Sequence, residues 1–250
     1  MKVFLTGASS GIGEALARHY AAGGATLGLV ARRAELLASI KSSLASPCET
    51  YAADVRDAPA MNAAAADFIA RHGLPDVVIA NAGLSIGNLT ENAEDLEVFR
   101  EILEINVLGM VNTFHPFVAP MRAQANGSLV GIASVAGLRG LPGATAYGAS
   151  KSAAIRYLEG LRVELHGSGV RVITICPGYI ATPMTRKNPY KMPFIIPADE
   201  AARRFARVIA AGRSYAVIPW PMAIVGRILG VLPNWIYDPV AAHAGRKPRR

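Results

Sequence analysis

The chain opens on K-V-F-L-T (2–6), a short apolar run, and turns at once through T-G-A-S-S-G-I-G (6–13) into an amphipathic stretch from Glu14 to about Ala22. Strand, glycine turn and helix in that order constrain the fold more than any other feature of the sequence. Glycine lets a backbone turn sharply and approach a ligand closely. The first N–H groups of a helix are unpaired and carry partial positive charge, so the turn suits a pyrophosphate. The spacing is G-x-x-x-G-x-G rather than the common G-x-G-x-x-G. An ordinary glycine loop is the alternative, disfavoured by the position between strand and helix.

The rest of the chain repeats the alternation. Val77–Ala80, Leu129–Ala133 and Val170–Cys176 are short and almost continuously apolar, as strands covered on both faces are. Helical stretches are expected near 99–124, 146–166 and 198–211. This pattern predicts an α/β fold: a Rossmann-type doubly wound parallel sheet in three layers (α/β/α), with ligands along one edge. At 250 residues and 52% hydrophobic content the chain suffices for one such domain. The expected division is a dinucleotide-binding catalytic domain over 1–218 and a C-terminal apolar helix and basic tail over 219–250 that is no separate domain.

The second strand, T-L-G-L-V-A (26–31), ends at Arg32 and Arg33. An acidic residue near this point would accept hydrogen bonds from a ribose 2′-OH. Two guanidinium groups instead suit a 2′-phosphate, which predicts NADP(H) in preference to NAD(H). Two solvated arginines opening a helix are the alternative. Tyr147 and Lys151 then fall four apart, on one face of a helix. A cation within about 4–6 Å favours a phenolate, so the pair is expected to form a lowered-pKa acid/base. Ser134, where a strand should end, could hold a substrate oxygen.

By this point the chain resembles the short-chain dehydrogenase/reductase family over roughly 1–220. The motifs T-G-A-S-S-G-I-G (6–13), A-D-V (53–55), N-A-G (81–83), I-N-V-L-G (105–109), S-V-A-G (134–137), Y-G-A-S-K (147–151) and P-G-Y-I-A-T (177–182) stand in family order. The resemblance implies a catalytic set of Asn106, Ser134, Tyr147 and Lys151, with Asn106 kinking its helix and holding a water toward Lys151. It implies a cofactor site of Gly7, Ser9, Ser10, Gly11, Ile12, Gly13, Arg32, Arg33, Asp54, Val55, Asn81, Ala82, Gly83, Tyr147, Lys151, Pro177, Gly178, Ile180 and Thr182. Asp54 would meet the adenine amine, although a helix N-cap is its other reading. Substrate would meet Ser134, Ser85, Ala136, Leu141, Tyr147 and Tyr179, under a lid at about 183–197.

Two cysteines, Cys48 and Cys176, make no disulfide framework, and the histidines show no metal-ligand spacing. A first strand at residue 2 leaves no room for a secretory signal ahead of it, so a cytoplasmic protein is expected. The net charge of +8 is uneven: residues 1–200 balance, while 201–250 carry nine basic residues and one acid, Asp238. Met222–Leu232 reads as an apolar helix too short to span a bilayer. Either it packs on protein, or Trp220, Trp235 and Tyr237 sit at headgroup level and Arg246–Arg250 meets an anionic membrane surface, placing the enzyme at the cytoplasmic face. Nucleic acid is not expected as a partner, because no recognition element accompanies the charge.

The resulting expectation is an NADP(H)-dependent oxidoreductase that interconverts a small-molecule carbonyl and an alcohol. The substrate is expected to be a lipophilic aldehyde or ketone, and the enzyme a homodimer or homotetramer. A non-catalytic NADP(H)-binding sensor or scaffold on the same fold is the alternative. An epimerase or dehydratase fits less well, lacking the larger C-terminal region such enzymes need.

Overall fold

The computed structural model describes residues 1–249. Nine strands are described: β1 Lys2–Thr6, β2 Thr26–Ala31, β3 Cys48–Ala52, β4 Val77–Ala80, β5 Ser128–Ile132, β6 Arg171–Pro177, β7 Ile180–Ala181, β8 Ile196–Pro197 and β9 Tyr215–Ile218. Seven form one sheet in the order β3-β2-β1-β4-β5-β6-β9, all pairs parallel. The strand order reverses between β1 and β4, and the crevice at such a point is where ligands bind in open α/β sheets. The short β7 and β8 pair with each other beyond the end of β6.

Helices cover both faces. The helices α1 Gly11–Ala22, α2 Ala34–Ser43, α3 Ala58–His72 and α4 Asp95–Leu103 come first, followed by a π-helical turn at Glu104–Leu108 and α5 Gly109–Ala123. After them come α6 Thr145–Glu164, the short α7 Pro183–Arg186, α8 Ala198–Ala210, α9 Pro221–Val231 and α10 Asn234–Ala241. One apolar cluster packs Leu16, Tyr20, Leu37 and Phe205 against the side chains of β1 and β2. The other packs Phe68, Phe114, Phe117 and Leu158 on the opposite face. The run Asp95–Ala123 is long and apolar enough by composition to cross a membrane, but its Phe114, Phe117 and Met121 are fully buried in the second cluster and its Ile102 in a smaller one with Val98 and Ala146.

The expected strands and helices are found with ends shifted by a few residues. Three helices were not among those expected, namely α3, the short α7 and α10, the last beginning just after Pro233 and containing Pro239. The C-terminal helices dock on the loop after β5. The Tyr237 hydroxyl donates to the Gly140 carbonyl, Arg139 lies 4.4 Å over the Tyr237 ring, and Leu138 fills the space above Gly226. Arg250, the last residue of the basic tail, lies outside the described residues.

Candidate active site

The turn between β1 and α1 holds Gly7 and Gly11 at φ of 67° and 60°, in the left-handed region that glycine enters without strain. A Cβ on Gly7 would stand 2.7 Å from the Ala82 Cα, and one on Gly13 would overlap the Gly7 carbonyl. These glycines therefore let α1 and the loop after β4 close on the turn. The clamp is polar. Asn81 Nδ2 donates to the carbonyls of Thr6 and Gly7 at 3.1 and 3.2 Å. The Thr6 hydroxyl accepts from the backbone of Asn81 and Ala82. Ser10 precedes α1 without capping it through its side chain, so the first N–H groups of α1 are free to receive an anion. That cradle fits a dinucleotide pyrophosphate.

From the turn a cleft runs along the strand ends. Its walls include Gly7, Ser9, Ser10, Gly11, Ile12, Arg32, Arg33, Asp54, Val55, Asn81, Ala82, Gly83, Ser134, Tyr147, Lys151, Pro177, Gly178, Ile180 and Thr182. The structure thus brings together the expected cofactor residues, except that Gly13 lies beneath the turn. Arg33 reaches back over it, its Nη2 donating to Ser9 and Ser10 at 3.1 and 3.4 Å. Asp54 has company the sequence did not announce: Arg56 donates to it through Nε and Nη2, the latter at 2.8 Å. That hydrogen bond holds the Asp54 carboxyl below the usual range. The N-cap reading of Asp54 fails; Asp57 caps α3, accepting from Ala60 at 3.0 Å.

Tyr147 and Lys151 lie one turn apart near the start of α6. Their relation differs from the expected one. The Lys151 ammonium donates to the Ile132 carbonyl at 2.8 Å and stands 5.9 Å from the Tyr147 ring centre. Burial pushes the Tyr147 phenol above its ordinary value, and a hydrogen bond with Ser134 offsets only part of that. The expected lowering by Lys151 does not appear in the protein alone. Burial also lowers the Lys151 ammonium to about 8. Ser134 opens a 3₁₀ turn at Val135–Gly137, its Oγ accepting from Ala136 N at 3.1 Å.

Asn106 lies in the π-helical turn, which is the expected break in its helix. It is buried, and its amide is bonded throughout. Oδ1 accepts from Leu84 N at 2.7 Å, while Nδ2 donates to the Leu84 carbonyl and to Ser150 Oγ, each at 2.9 Å. A polar group placed there must be satisfied in this way. Asn106 does not line the cleft; it braces Leu84 and α6 behind it.

The expected substrate residues divide. Ser134 and Tyr147 line the cleft, whereas Ser85, Ala136, Leu141 and Tyr179 stand outside its walls. Tyr179 packs edge-on against Tyr190 of the 183–197 segment, ring centres 6.4 Å apart. That segment is no structureless loop. Thr182 caps α7 through a reciprocal bond with Thr185, and Pro183, Met184 and Thr185 join the cleft wall. Sequence reasoning missed Asn88. It is buried, accepts from Ala146 N at 3.1 Å and donates to Thr145 Oγ1 at 2.8 Å. It caps α6 from a distant loop, and only the fold reveals that.

Comparison with known proteins supports the geometry. A family model described as short chain dehydrogenase matches residues 1–192. An oxidoreductase of Myxococcus xanthus is 36% identical over 242 residues, covering 95% of this chain and 94% of that one. A sulfoacetaldehyde reductase of Chromohalobacter salexigens is 35% identical, covering 73% and 74%. Among solved structures, an alcohol dehydrogenase from the archaeon Thermococcus sibiricus, complexed with 5-hydroxy-NADP, superposes with a TM-score of 0.78 at 28% identity over 87% of this chain and 95% of that one. With its glycine cradle, parallel sheet and Ser134, Tyr147 and Lys151 gathered on one cleft, the chain belongs to the short-chain dehydrogenase/reductase family and is an oxidoreductase of the carbonyl/alcohol type.

Proposed function

We propose that this enzyme is an NADP(H)-dependent carbonyl reductase/alcohol dehydrogenase in which Tyr147 is the acid/base. The observation that carries the reading is the convergence of Tyr147, Ser134 and Lys151 on the same cleft as the glycine turn. When bound, the nicotinamide supplies or accepts a hydride at the carbonyl carbon. Tyr147 holds its proton at neutral pH, since burial raises its pKa, and releases it to the carbonyl oxygen as negative charge develops there. Ser134 fixes that oxygen against the phenol. Lys151, tied to the Ile132 carbonyl with its ammonium 5.9 Å from the Tyr147 ring centre, would bind the nicotinamide ribose and favour loss of the phenolic proton once the cofactor is bound. Asn106, through Leu84 and Ser150, keeps α6 in register.

Arg33, Ser9 and Ser10 would hold a 2′-phosphate, and Asp54 and Val55 the adenine. The preference for NADP(H) draws support from the absence of an acid at the end of β2 and from the NADP-type ligand of the archaeal relative. Leu84, Pro183 and Met184 on the cleft wall give the substrate side an apolar character, which favours a lipophilic aldehyde or ketone. A sensor or scaffold role is the weaker reading, since it gives Ser134 and Tyr147 nothing to do. NADPH oxidation against aldehydes and ketones of graded chain length and ring size, with NADH in parallel, tests the proposal. Turnover with NADPH is expected; binding of NADPH with no turnover of any carbonyl contradicts it.

The exposed Leu96 on α4, Leu108 in the π-helical turn before α5 and Val163 on α6 support a homodimer or homotetramer formed through these segments. The exposed Trp220, Ile224, Ile228, Val231, Trp235 and Val240 on α9, α10 and their approach support a membrane-facing surface of a cytoplasmic enzyme.

A further inference from the structure

The basic tail is not left in solvent. Residues 245–249 run as a strap over Gly87, Gly143 and Tyr190 and come close to Tyr147 of the cleft through Lys247. Gly245 packs so tightly on Tyr190 that a Cβ there would overlap it, and Arg246 Cβ would lie 3.0 Å from one on Gly143. Gly87 N donates to the Pro248 carbonyl at 2.9 Å, and a side chain on Gly87 would collide with the Lys247 carbonyl. Arg249 fastens the end, its Nε donating to Asp95 and its Nη2 to Glu94, each at 2.8 Å.

Between these anchors Lys247 turns inward. Its ammonium donates to Ser85 Oγ and stands 5.1 Å from the Tyr147 ring centre. Arg249 has two carboxylates; Lys247 has none among the described residues. Burial holds its pKa down at about 8 with no neighbouring charge raising it. An ammonium carries three N–H donors, and the Ser85 bond uses one. A cation drawn partly out of water without a counter-charge is unfavourable, so the strap imposes this position on Lys247. An anion arriving beside Tyr147 would supply both the missing charge and the missing acceptors.

We propose that Lys247 is a specificity-determining residue that binds an anionic group of the substrate, a few bonds from the carbonyl that Tyr147 protonates. The inference rests on the reading of Tyr147 as the acid/base and deepens it: the substrate class becomes short carbonyl compounds with an apolar backbone and one negatively charged end. Ser85 positions Lys247, and the strap forms a wall of the substrate site.

The test compares 4-oxobutanoate with butanal in the full-length wild type, K247M and K247R, alongside calorimetric titration of butanoate into wild type and K247M. A hydrogen bond to a charged group is worth about 1.5–3 kcal/mol, roughly 10–100-fold. The ratio of kcat/KM for 4-oxobutanoate over butanal therefore falls by about that factor in K247M and stays within a few-fold of wild type in K247R. Butanoate binds wild type and not K247M. An unchanged ratio with butanoate binding equal in the two proteins overturns the proposal, as does an equal rise for both aldehydes, which would make the strap an obstruction. If neither aldehyde is turned over, the butanoate titration by itself decides the role of Lys247, and the catalytic reading is decided separately by the wider carbonyl series.

Discussion

The Lys151 ammonium hydrogen-bonds the Ile132 carbonyl at 2.8 Å, and so is tied to the end of β5. It reaches the Tyr147 phenol only across 5.9 Å to the ring centre. Burial lowers its pKa from 10.5 to about 8. The charged form therefore predominates below about pH 8 and is lost above it, where a solvated lysine would still be protonated. If that charge supports proton release from Tyr147, kcat/KM for a neutral aldehyde should decline above about pH 8. Lys247 shares a pKa of about 8, so the profile is best taken in K247M. The limb should persist there and move to higher pH in K247M/K151R, since arginine keeps its charge.

Arg33 lies on Ser9 and Ser10 at the edge of the glycine turn. Replacing it with alanine should raise the KM for NADPH by roughly 10–100-fold, the value of a lost charge-assisted bond. The KM for NADH should change little. Steady-state kinetics with both cofactors checks this, and an equal effect on the two would remove Arg33 from phosphate recognition.

Gly13 faces the Gly7 carbonyl with no space for a Cβ. Backbone rather than a flexible side chain blocks the position, so Gly13→Ala must separate α1 from the turn. Overpacking costs about 1–3 kcal/mol, which for a chain of this size is a fall in Tm of roughly 2–12 °C. Calorimetry should find it, together with weakened NADPH binding.

Val231 and Trp235 are 81% and 76% exposed. If they face lipid, V231S/W235S should lose co-sedimentation with vesicles of phosphatidylcholine and phosphatidylglycerol while keeping activity. Retained vesicle binding in that variant, or none in wild type, would count against a membrane role.

Much of this was legible in the sequence because the relevant signals are local. The apolar run 2–6, the glycine turn and the arginines after β2 each lie within a few residues, and they mark one end of the cleft. Tyr147 and Lys151 were legible as helix neighbours. Their electrostatics were not, because the Ile132 carbonyl and the desolvating walls come from elsewhere in the chain. Asn88 and Lys247 were missed for the same reason, whereas Arg56 stands only two residues from Asp54 and was missed because nothing in that spacing shows its side chain turning back onto the carboxylate. Asn88 caps a helix 57 residues away, and Lys247 meets Ser85 across 162 residues, so no spacing rule could pair them. The tail read as a charge run, and only its path over Gly87 and Gly143 shows that it belongs to the site.

The account depends most on the Tyr147 hydroxyl. Tyr147→Phe removes that oxygen and keeps the ring. With a carbonyl that the wild type reduces, kcat should fall by about 10²–10⁴-fold, the usual contribution of a positioned acid, while NADPH binding followed by its fluorescence stays within a few-fold of wild type. Full turnover in Tyr147→Phe would contradict the assignment.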